Sequence, residues 1–418
     1  MVKFLKALKR KIVSFLKRKT LLEKVDELES RVALLEAQQK KMEKTQKKLA
    51  VDVETQKNMV PVEQPKKKAA PEKSAGKKAK ITAPKGKERT PKYLRDVATS
   101  VEKVMAKTGW SHEQTEAAFW DAEKRTGCTP KEFNLYRLYE MTPEEQDTVL
   151  VASIQKKLQK KFGTNKDFVD MLYDKERTNN FFAEYIRRPW CVNTKVSYEE
   201  FAQKFANTKR VIYKPLDGNR GRGVEAFMLD RDTMREVYDV LAEYPAGVVE
   251  AYVVQHPDML KLCPSSVNTI RVVTFSSNST PVTPDGKHMD IAYTALRIGG
   301  GSSIVDNFHS GGMVCHIDSQ TGKLITEAAD MECNVFAEHP ATGVKFLGFQ
   351  IPYYQEAMAM VTEAITKNKL EGYLGWDVAI AEDGPILIEV NDRPGVVLLS
   401  TPYAAQKKGM KQVLAKYL

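Results

Sequence analysis

Apolar and polar positions change their period several times along this chain, and each change marks a segment. Within residues 3–19, KFLKALKRKIVSFLKRK, the apolar positions are Phe4, Leu5, Leu8, Ile12, Phe15 and Leu16, with Lys and Arg between them. That spacing predicts a basic amphipathic helix over 1–19, suited either to the headgroup layer of an anionic membrane or to a partner helix. Leu21, Val25, Leu28, Val32, Leu35, Gln39, Met42, Gln46, Leu49 and Val53 then follow alternating steps of four and three. Five heptads of this kind predict a coiled coil over 20–58, whose seam one helix cannot bury alone, so homo-oligomerisation is expected. Residues 59–92 are rich in Pro, Lys and Ala and poor in large apolar side chains, which predicts a disordered, self-repelling linker.

From Tyr93 the period becomes helical, with segments opening at Ser, Thr or Pro and closing at Gly. A helical subdomain is expected over 93–182. Beyond it, short β-rich runs such as RVIYKPL, GVVEAYVV, NTIRVVTFSS and DIAYTALRIGG alternate with helices, an α+β pattern over 183–418 with mostly antiparallel sheet. The clearest pair of strands lies in GWDVAIAEDGPILIEVNDRPG, residues 375–395, around Glu382-Asp383-Gly384-Pro385. Val378, Ile380, Ile386, Ile388 and Val390 are all aliphatic and even-numbered, so the alternation of side chains predicts that they share the buried face. The other face then carries Asp377, Glu389 and Asn391, and an odd-length turn sets Asp377 opposite Asn391 and diagonal to Glu389. Two carboxylates and an amide oxygen on a rigid sheet form a candidate Mg²⁺ site, because magnesium takes a few hard oxygen ligands and completes its octahedron with water and phosphate. A solvated polar face is the plainer alternative.

Charge sharpens the division of the chain. The net charge is +11, yet residues 1–92 hold 27 Lys and Arg against 11 Asp and Glu, leaving the remainder with 38 basic and 43 acidic residues. Basicity belongs to the amino-terminal part, and without interleaved aromatics it does not read as a nucleic-acid surface. The cysteines Cys128, Cys191, Cys263, Cys315 and Cys333 form no close pairs, which excludes a zinc ribbon and argues against a disulfide framework. No apolar run has the length of a membrane span or the form of a secretory signal. The expectation is a cytoplasmic protein, peripheral on the inner face of the membrane where the first helix binds there.

Several polar constellations sit on the strands. VIYKPLDGNRGRGV places Lys214 near a strand end, followed by Gly218, Asn219, Gly221, Arg222 and Gly223, a turn whose backbone can approach phosphate closely. It lacks the Walker spacing and lies between strands. Glu250 stands at the exit of an aliphatic strand, where a carboxylate can accept from an exocyclic amine while the backbone of 251–253 reads a purine edge. Arg271 and Arg297 emerge from strands, and Asn307 and His309 precede the Gly311-Gly312 pair. Two such arginines beside a lysine and a magnesium candidate point to a phosphate-handling cleft.

Lys175 in YDKERTNNF, Lys214, the glycine-rich loop, Glu250, Asp377 and Glu389-Val-Asn391 with Arg393-Pro394-Gly395 come in an order that resembles the ATP-grasp superfamily. TGCTPKEFNLYRLYEMTPEEQ, LCPSSVNTIRVVTF and RIGGGSSIVDNFHSGGM look like its sugar-transfer-associated branch, over roughly residues 110–410. The resemblance implies ATP held between two α+β lobes, with Lys175 and Lys214 on the phosphates and the loop 217–223 closing over them. It further implies adenine held by Glu250 and the backbone near Tyr252, ribose held by Asp258, and Mg²⁺ held by Asp377, Glu389 and Asn391. An ATP-dependent ligase follows, activating a carboxylate as an acylphosphate for attack by an amine, in cell-surface glycan or envelope biosynthesis. Arg271 and Arg297 would face the transferred phosphoryl group or the acceptor carboxylate, Asn307 and the turn 393–395 would shape the acceptor pocket, and His309 is either a general base or a structural histidine. A phosphotransferase on a sugar or hydroxyl, and a coiled-coil scaffold with a nucleotide-binding head, are the alternatives.

Overall fold

The structure, a computed structural model, describes residue 81 and residues 89–216, 223–301, 311–395 and 400–418. The amphipathic helix, the coiled coil and nearly all of the linker expected from the sequence lie outside the described residues.

The first helices are delimited by the punctuation the sequence carries. Pro91–Thr108 starts with Thr90 accepting from the Tyr93 amide and ends at Gly109, whose φ of 72° gives the left-handed turn that glycine tolerates best. Ser111 and Gln114 form a reciprocal capping box on His112–Thr126. Val97, Val101, Val104, Phe119, Phe133, Tyr136 and Val151 bury together, giving these helices a core of their own. The helices after Ala152 turn their apolar side chains to the sheet instead: Leu158 and Phe162 cover one face, while Met171, Phe182, Tyr185 and Ile186 cover the other.

Two antiparallel sheets follow. β1 (Trp190–Val192), β2 (Arg210–Pro215), β3 (Glu225–Met228) and β4 (Gly247–Ala251) form a four-stranded sheet in the order β1-β4-β2-β3. Val211, Tyr213 and Val249 alternate onto one face of it, against Phe201, Phe205, Val237 and Leu241 from two flanking helices. β5 (Thr269–Ser276), β6 (Met289–Ile298), β7 (Met313–His316), β8 (Ala328–Ala329), β9 (Val335–Phe336), β10 (Gly372–Ala381) and β11 (Gly384–Asn391) make a seven-stranded sheet ordered β11-β10-β5-β6-β7-β8-β9. The even positions of β5, β6 and β10 pack with the helix Tyr354–Lys367. On the opposite face Val273, Phe275, Tyr293, Ala295 and Tyr373 meet Leu150, Leu158, Phe162 and the carboxyl-terminal Met410, Leu414 and Tyr417. The connection from β4 is pinned to the larger sheet where the His256 amide donates to the Ile380 carbonyl at 2.9 Å.

The β10–β11 hairpin corrects the expected register. Its loop holds only Glu382 and Asp383, with Ala381 paired to Gly384, Ala379 to Ile386 and Val378 to Leu387. A β-bulge then leaves Ile388 without a cross-strand partner, and beyond it Asp377 faces Glu389 directly while Gly375 faces Asn391. The five aliphatic residues therefore do not share one face. Val378, Ile380 and Val390 join the main core with Leu387, whereas Ile386 and Ile388 lie with Ala379, Ala381, Val253 and Val267 on the face that carries Asp377.

Candidate functional site

That second face of β10 has three successive zones. Nearest the hairpin loop, Ala379 and Ala381 with Ile386, Ile388, Val253 and Val267 form an apolar floor. Next comes Asp377, then Gly375, and farther along Tyr373 enters the core beneath the carboxyl-terminal helices. Asp377 is 3% exposed. Arg271, its cross-strand partner on β5, donates Nε to Oδ1 and Nη2 to Oδ2, the latter at 3.0 Å, while Arg297 on β6 donates Nη1 to Oδ2 at 2.7 Å. Burial by itself would raise the Asp377 pKa, but the two guanidiniums outweigh it and hold the carboxyl below its ordinary value. Arg271 also donates Nη1 to the Pro394 carbonyl at 2.7 Å, which ties the turn after β11 to the clamp. Gly375 makes this approach feasible: a Cβ there would stand 2.9 Å from the Pro394 Cα and 3.3 Å from the Arg271 Cδ.

Glu389 is exposed and lies directly opposite Asp377, and Asn391 is half-buried opposite Gly375. The Asn391 Nδ2 is buried with no hydrogen-bond partner among the described residues. Among the described residues no three His, Cys, Asp or Glu side chains converge on one point. The donors on this face are thus one accessible carboxylate, one amide and one carboxylate already shared by two arginines. A magnesium ion that draws most of its ligands from phosphate and water fits that set, with Glu389 and Asn391 as the available protein ligands.

A second polar cluster joins the smaller sheet to this hairpin. Glu250, on β4, is 3% exposed. Its Oε2 accepts from Arg188 Nη2 at 2.6 Å, from Arg188 Nε at 3.2 Å and from Lys214 Nζ at 2.7 Å, and its Oε1 accepts from Asn179 Nδ2 at 3.0 Å. Desolvation pushes the Glu250 pKa up, yet Arg188 and Lys214 reverse it and hold the carboxyl far below the usual range. Arg188 reaches across with Nη1 to the Leu387 carbonyl on the β11 edge at 2.7 Å. Its neighbour Arg187 binds the same hairpin at Asp383 and at the Pro385 carbonyl. Lys175 and Asn179 are four apart on the helix Lys175–Phe181 and so share a face. Lys175 Nζ donates to the Leu216 carbonyl at 3.1 Å, where the glycine-rich connection leaves β2, and two residues earlier the Tyr173 hydroxyl contacts Asp392 Oδ1 at 3.2 Å.

The structure therefore brings Lys175, Lys214 and Glu250 into one cluster and Arg271, Arg297, Asp377, Glu389 and Asn391 onto one sheet face. The 173–179 segment and Arg188 each touch Glu250 and also β11 or the residue after it, through Asp392 and the Leu387 carbonyl respectively. The Glu250 oxygens accept from Lys214, Arg188 and Asn179. The Ala251 amide donates to Pro189 and the Tyr252 amide to Arg210, each at 2.9 Å, and the Arg210 guanidinium stacks 4.2 Å over the Tyr252 ring. Asp258 pairs with Lys261 at 2.6 Å and lies 3.7 Å from His256, and no contact among the described residues joins it to the Glu250 network. Asn219, Gly221 and Arg222 lie outside the described residues, in the connection between β2 and β3. Gly223, at its end, has a φ of +69°. Asn307 and His309 also lie outside the described residues. The loop carrying them leaves after β6 and returns before β7, its ends so close that a Cβ on Gly300 would meet the Gly311 carbonyl oxygen at 2.4 Å. The residues that sequence reasoning missed are Asn179, Arg188 and the apolar floor. An arginine beside another arginine carries no sign of burial in the sequence, and Ile386 and Ile388 join the floor because of the two-residue loop and the bulge.

A family model described as sugar-transfer associated ATP-grasp matches residues 165–416, more than half of the chain. The chain belongs to that family. The match takes in both sheets and both polar clusters, so the ATP-grasp fold is the frame on which they are mounted. No curated protein matches the chain. Among solved structures, D-alanyl-alanine synthetase A from Vibrio cholerae is similar at 10% identity and a TM-score of 0.34, over 68% of this chain and 71% of that one. The D-alanine-D-alanine ligase from Coxiella burnetii is similar at 8% identity and a TM-score of 0.36, over 63% of each. An N5-carboxyaminoimidazole ribonucleotide synthetase in its ADP complex shares 12% identity at a TM-score of 0.32, over 54% of this chain. This ATP-grasp chain spans about half of that synthetase, 46% of its length. No helix among the described residues is long and apolar enough to cross a membrane.

Proposed function

We propose that this ATP-grasp protein is an ATP- and Mg²⁺-dependent ligase that joins a carboxylate to an amine through an acylphosphate. The observation that carries this reading is the order of zones along β10: an apolar floor, then two arginines against one carboxylate, then Gly375, packed closely against Pro394 and facing Asn391. A nucleotide laid along that face has its base over the apolar floor and its triphosphate over the charged zone. Lys175 and Lys214, held by the Leu216 carbonyl and by Glu250, are the lysines that would turn to the phosphates. Arg271, Arg297 and Asp377 together leave one net positive charge where the transferred group would sit, and in a buried site fixed charge of that sign stabilises a phosphoryl group in flight.

In this reading the acceptor carboxylate attacks the γ-phosphorus, the bond to the bridging oxygen breaks, and ADP leaves. The amine nitrogen then attacks the acyl carbon, the carbon–oxygen bond to phosphate breaks, and the nitrogen gives up a proton, with His309 the candidate base. Magnesium held by Glu389 and Asn391 would neutralise the phosphate oxygens. Asp377 serves by orienting both arginines, and it can join the metal only by sharing an oxygen that Arg297 or Arg271 now holds. The residues 1–58 supply membrane attachment and self-association, and the acceptor and amine belong to surface-glycan or envelope chemistry.

The test is product release with defined substrates. ADP and free phosphate should appear only when both a carboxylate and an amine are supplied, and Glu389→Gln should abolish this while melting within about 1 °C of wild type, because an exposed side chain contributes little to stability. A phosphorylated product that accumulates without any amine would replace the ligase by a phosphotransferase. Normal ATP consumption by Glu389→Gln would remove the metal assignment.

A further inference from the structure

Lys214 and Arg188 share one oxygen of Glu250, yet they are not equally free to leave it. The Arg188 side chain is 5% exposed, donates two bonds to that oxygen and is locked at its far end to the Leu387 carbonyl. The Lys214 side chain is 19% exposed and, among the described residues, makes one ion pair, to Glu250 at 2.7 Å. A triphosphate arriving at Lys214 competes with Glu250 for a single ammonium, and a buried carboxylate that loses one cation must keep another or take up a proton. Among the described residues the charged groups facing Glu250 are Arg188, from the segment before β1, and Lys214, from β2, with Asn179 adding a neutral amide.

We propose that Arg188 is a positioning residue for nucleotide binding: it keeps Glu250 ionised and fixed on the β11 edge, so that Glu250 holds Lys214 ready and releases it to the phosphates without a change of protonation. This rests on the reading that Lys214 meets the triphosphate. It assigns Glu250 to the lysine rather than to the purine, and it gives Arg188 a task that a merely stabilising arginine lacks.

The experiment is isothermal titration calorimetry of the full chain with ATP and Mg²⁺, at several pH values from 7 to 9 and in two buffers of different ionisation enthalpy. In wild type, binding should take up no proton beyond those of the ATP and Mg²⁺ themselves. In Arg188→Gln, Lys214 and Glu250 can no longer both be satisfied, so binding should weaken by tenfold or more, take up close to one additional proton, and tighten relative to wild type as the pH falls. Adding Glu250→Gln to that variant removes the carboxylate and should abolish the additional proton. Because Arg188 acts only through Glu250, the double variant and Glu250→Gln alone should bind ATP within about twofold of each other. That last comparison decides the matter should Arg188→Gln alone fail to fold. A tenfold further loss in the double variant, or Arg188→Gln binding with no additional proton, would overturn the proposal. Wild type failing to bind ATP would overturn the nucleotide reading itself, an outcome distinct from wild type binding while the variants show no coupling.

Discussion

Replacing Asp377 by Asn keeps the shape of the side chain and removes its charge from between two arginines. Asp377 is 3% exposed, the Arg271 side chain 10% and that of Arg297 16%. The variant leaves two cations without their shared counter-charge and turns an amide NH₂ toward guanidinium donors. Removing one partner of a buried ion pair costs about 3–5 kcal/mol. Unfolding entropy is about 2.1 cal/mol/K per residue, so for the compact unit 78–418 that loss corresponds to a fall in Tm of roughly 4–7 °C. Differential scanning calorimetry of both proteins measures it. The sign of the pH effect is also fixed: because the folded protein holds the Asp377 carboxyl below its ordinary pKa, its contribution is fully present above about pH 4 and is lost only as the pH falls below that. The gap in Tm should therefore be flat from about pH 5 to pH 8. A gap under about 1 °C, or one that opens between pH 6 and pH 8, would show that the arginines do not depend on this carboxylate.

Gly375→Ala should push Pro394 and Arg271 apart, because the new methyl would stand within 2.9–3.3 Å of their atoms; a loss of about 1–3 kcal/mol in denaturant unfolding, with reduced turnover, is expected. Deleting residues 1–19 should release the protein from vesicles containing anionic lipid while leaving catalysis in solution intact, and equal vesicle binding by the truncated chain would reject the anchor. Deleting residues 20–58 should lower the mass measured by light scattering, and an unchanged mass would mean that the remainder of the chain assembles by itself.

Local signals were read from the sequence with most success where the physics is local. Thr90, Ser111, Gly109 and Gly127 cap helices as their residue types demand, because a cap is decided within four residues. The β-rich runs form strands, and Arg271, Arg297, Asp377, Glu389 and Asn391 lie on one face of the larger sheet. The hairpin register is not legible in the sequence, for a reason equally specific. The period-two rule assumes an uninterrupted ladder, and one extra residue at Ile388 shifts everything on the loop side of it to the opposite face. Nothing in GPILIEVN distinguishes a bulged strand from a regular one, since the gain from the bulge lies in what Ile386 and Ile388 meet across space.

Residue types and their spacing are enough to place helices and strands among the described residues, and the order of the motifs carries the resemblance to the ATP-grasp family that the match over residues 165–416 shows. Which charge pairs with which was decided only by the tertiary structure. Asp377 holds two arginines and Glu250 holds a lysine against Arg188 because residues 36 to 106 positions apart are brought within hydrogen-bonding distance in places from which water is excluded. There a carboxylate must take whatever cations the fold supplies, and sequence separation carries no information about that choice.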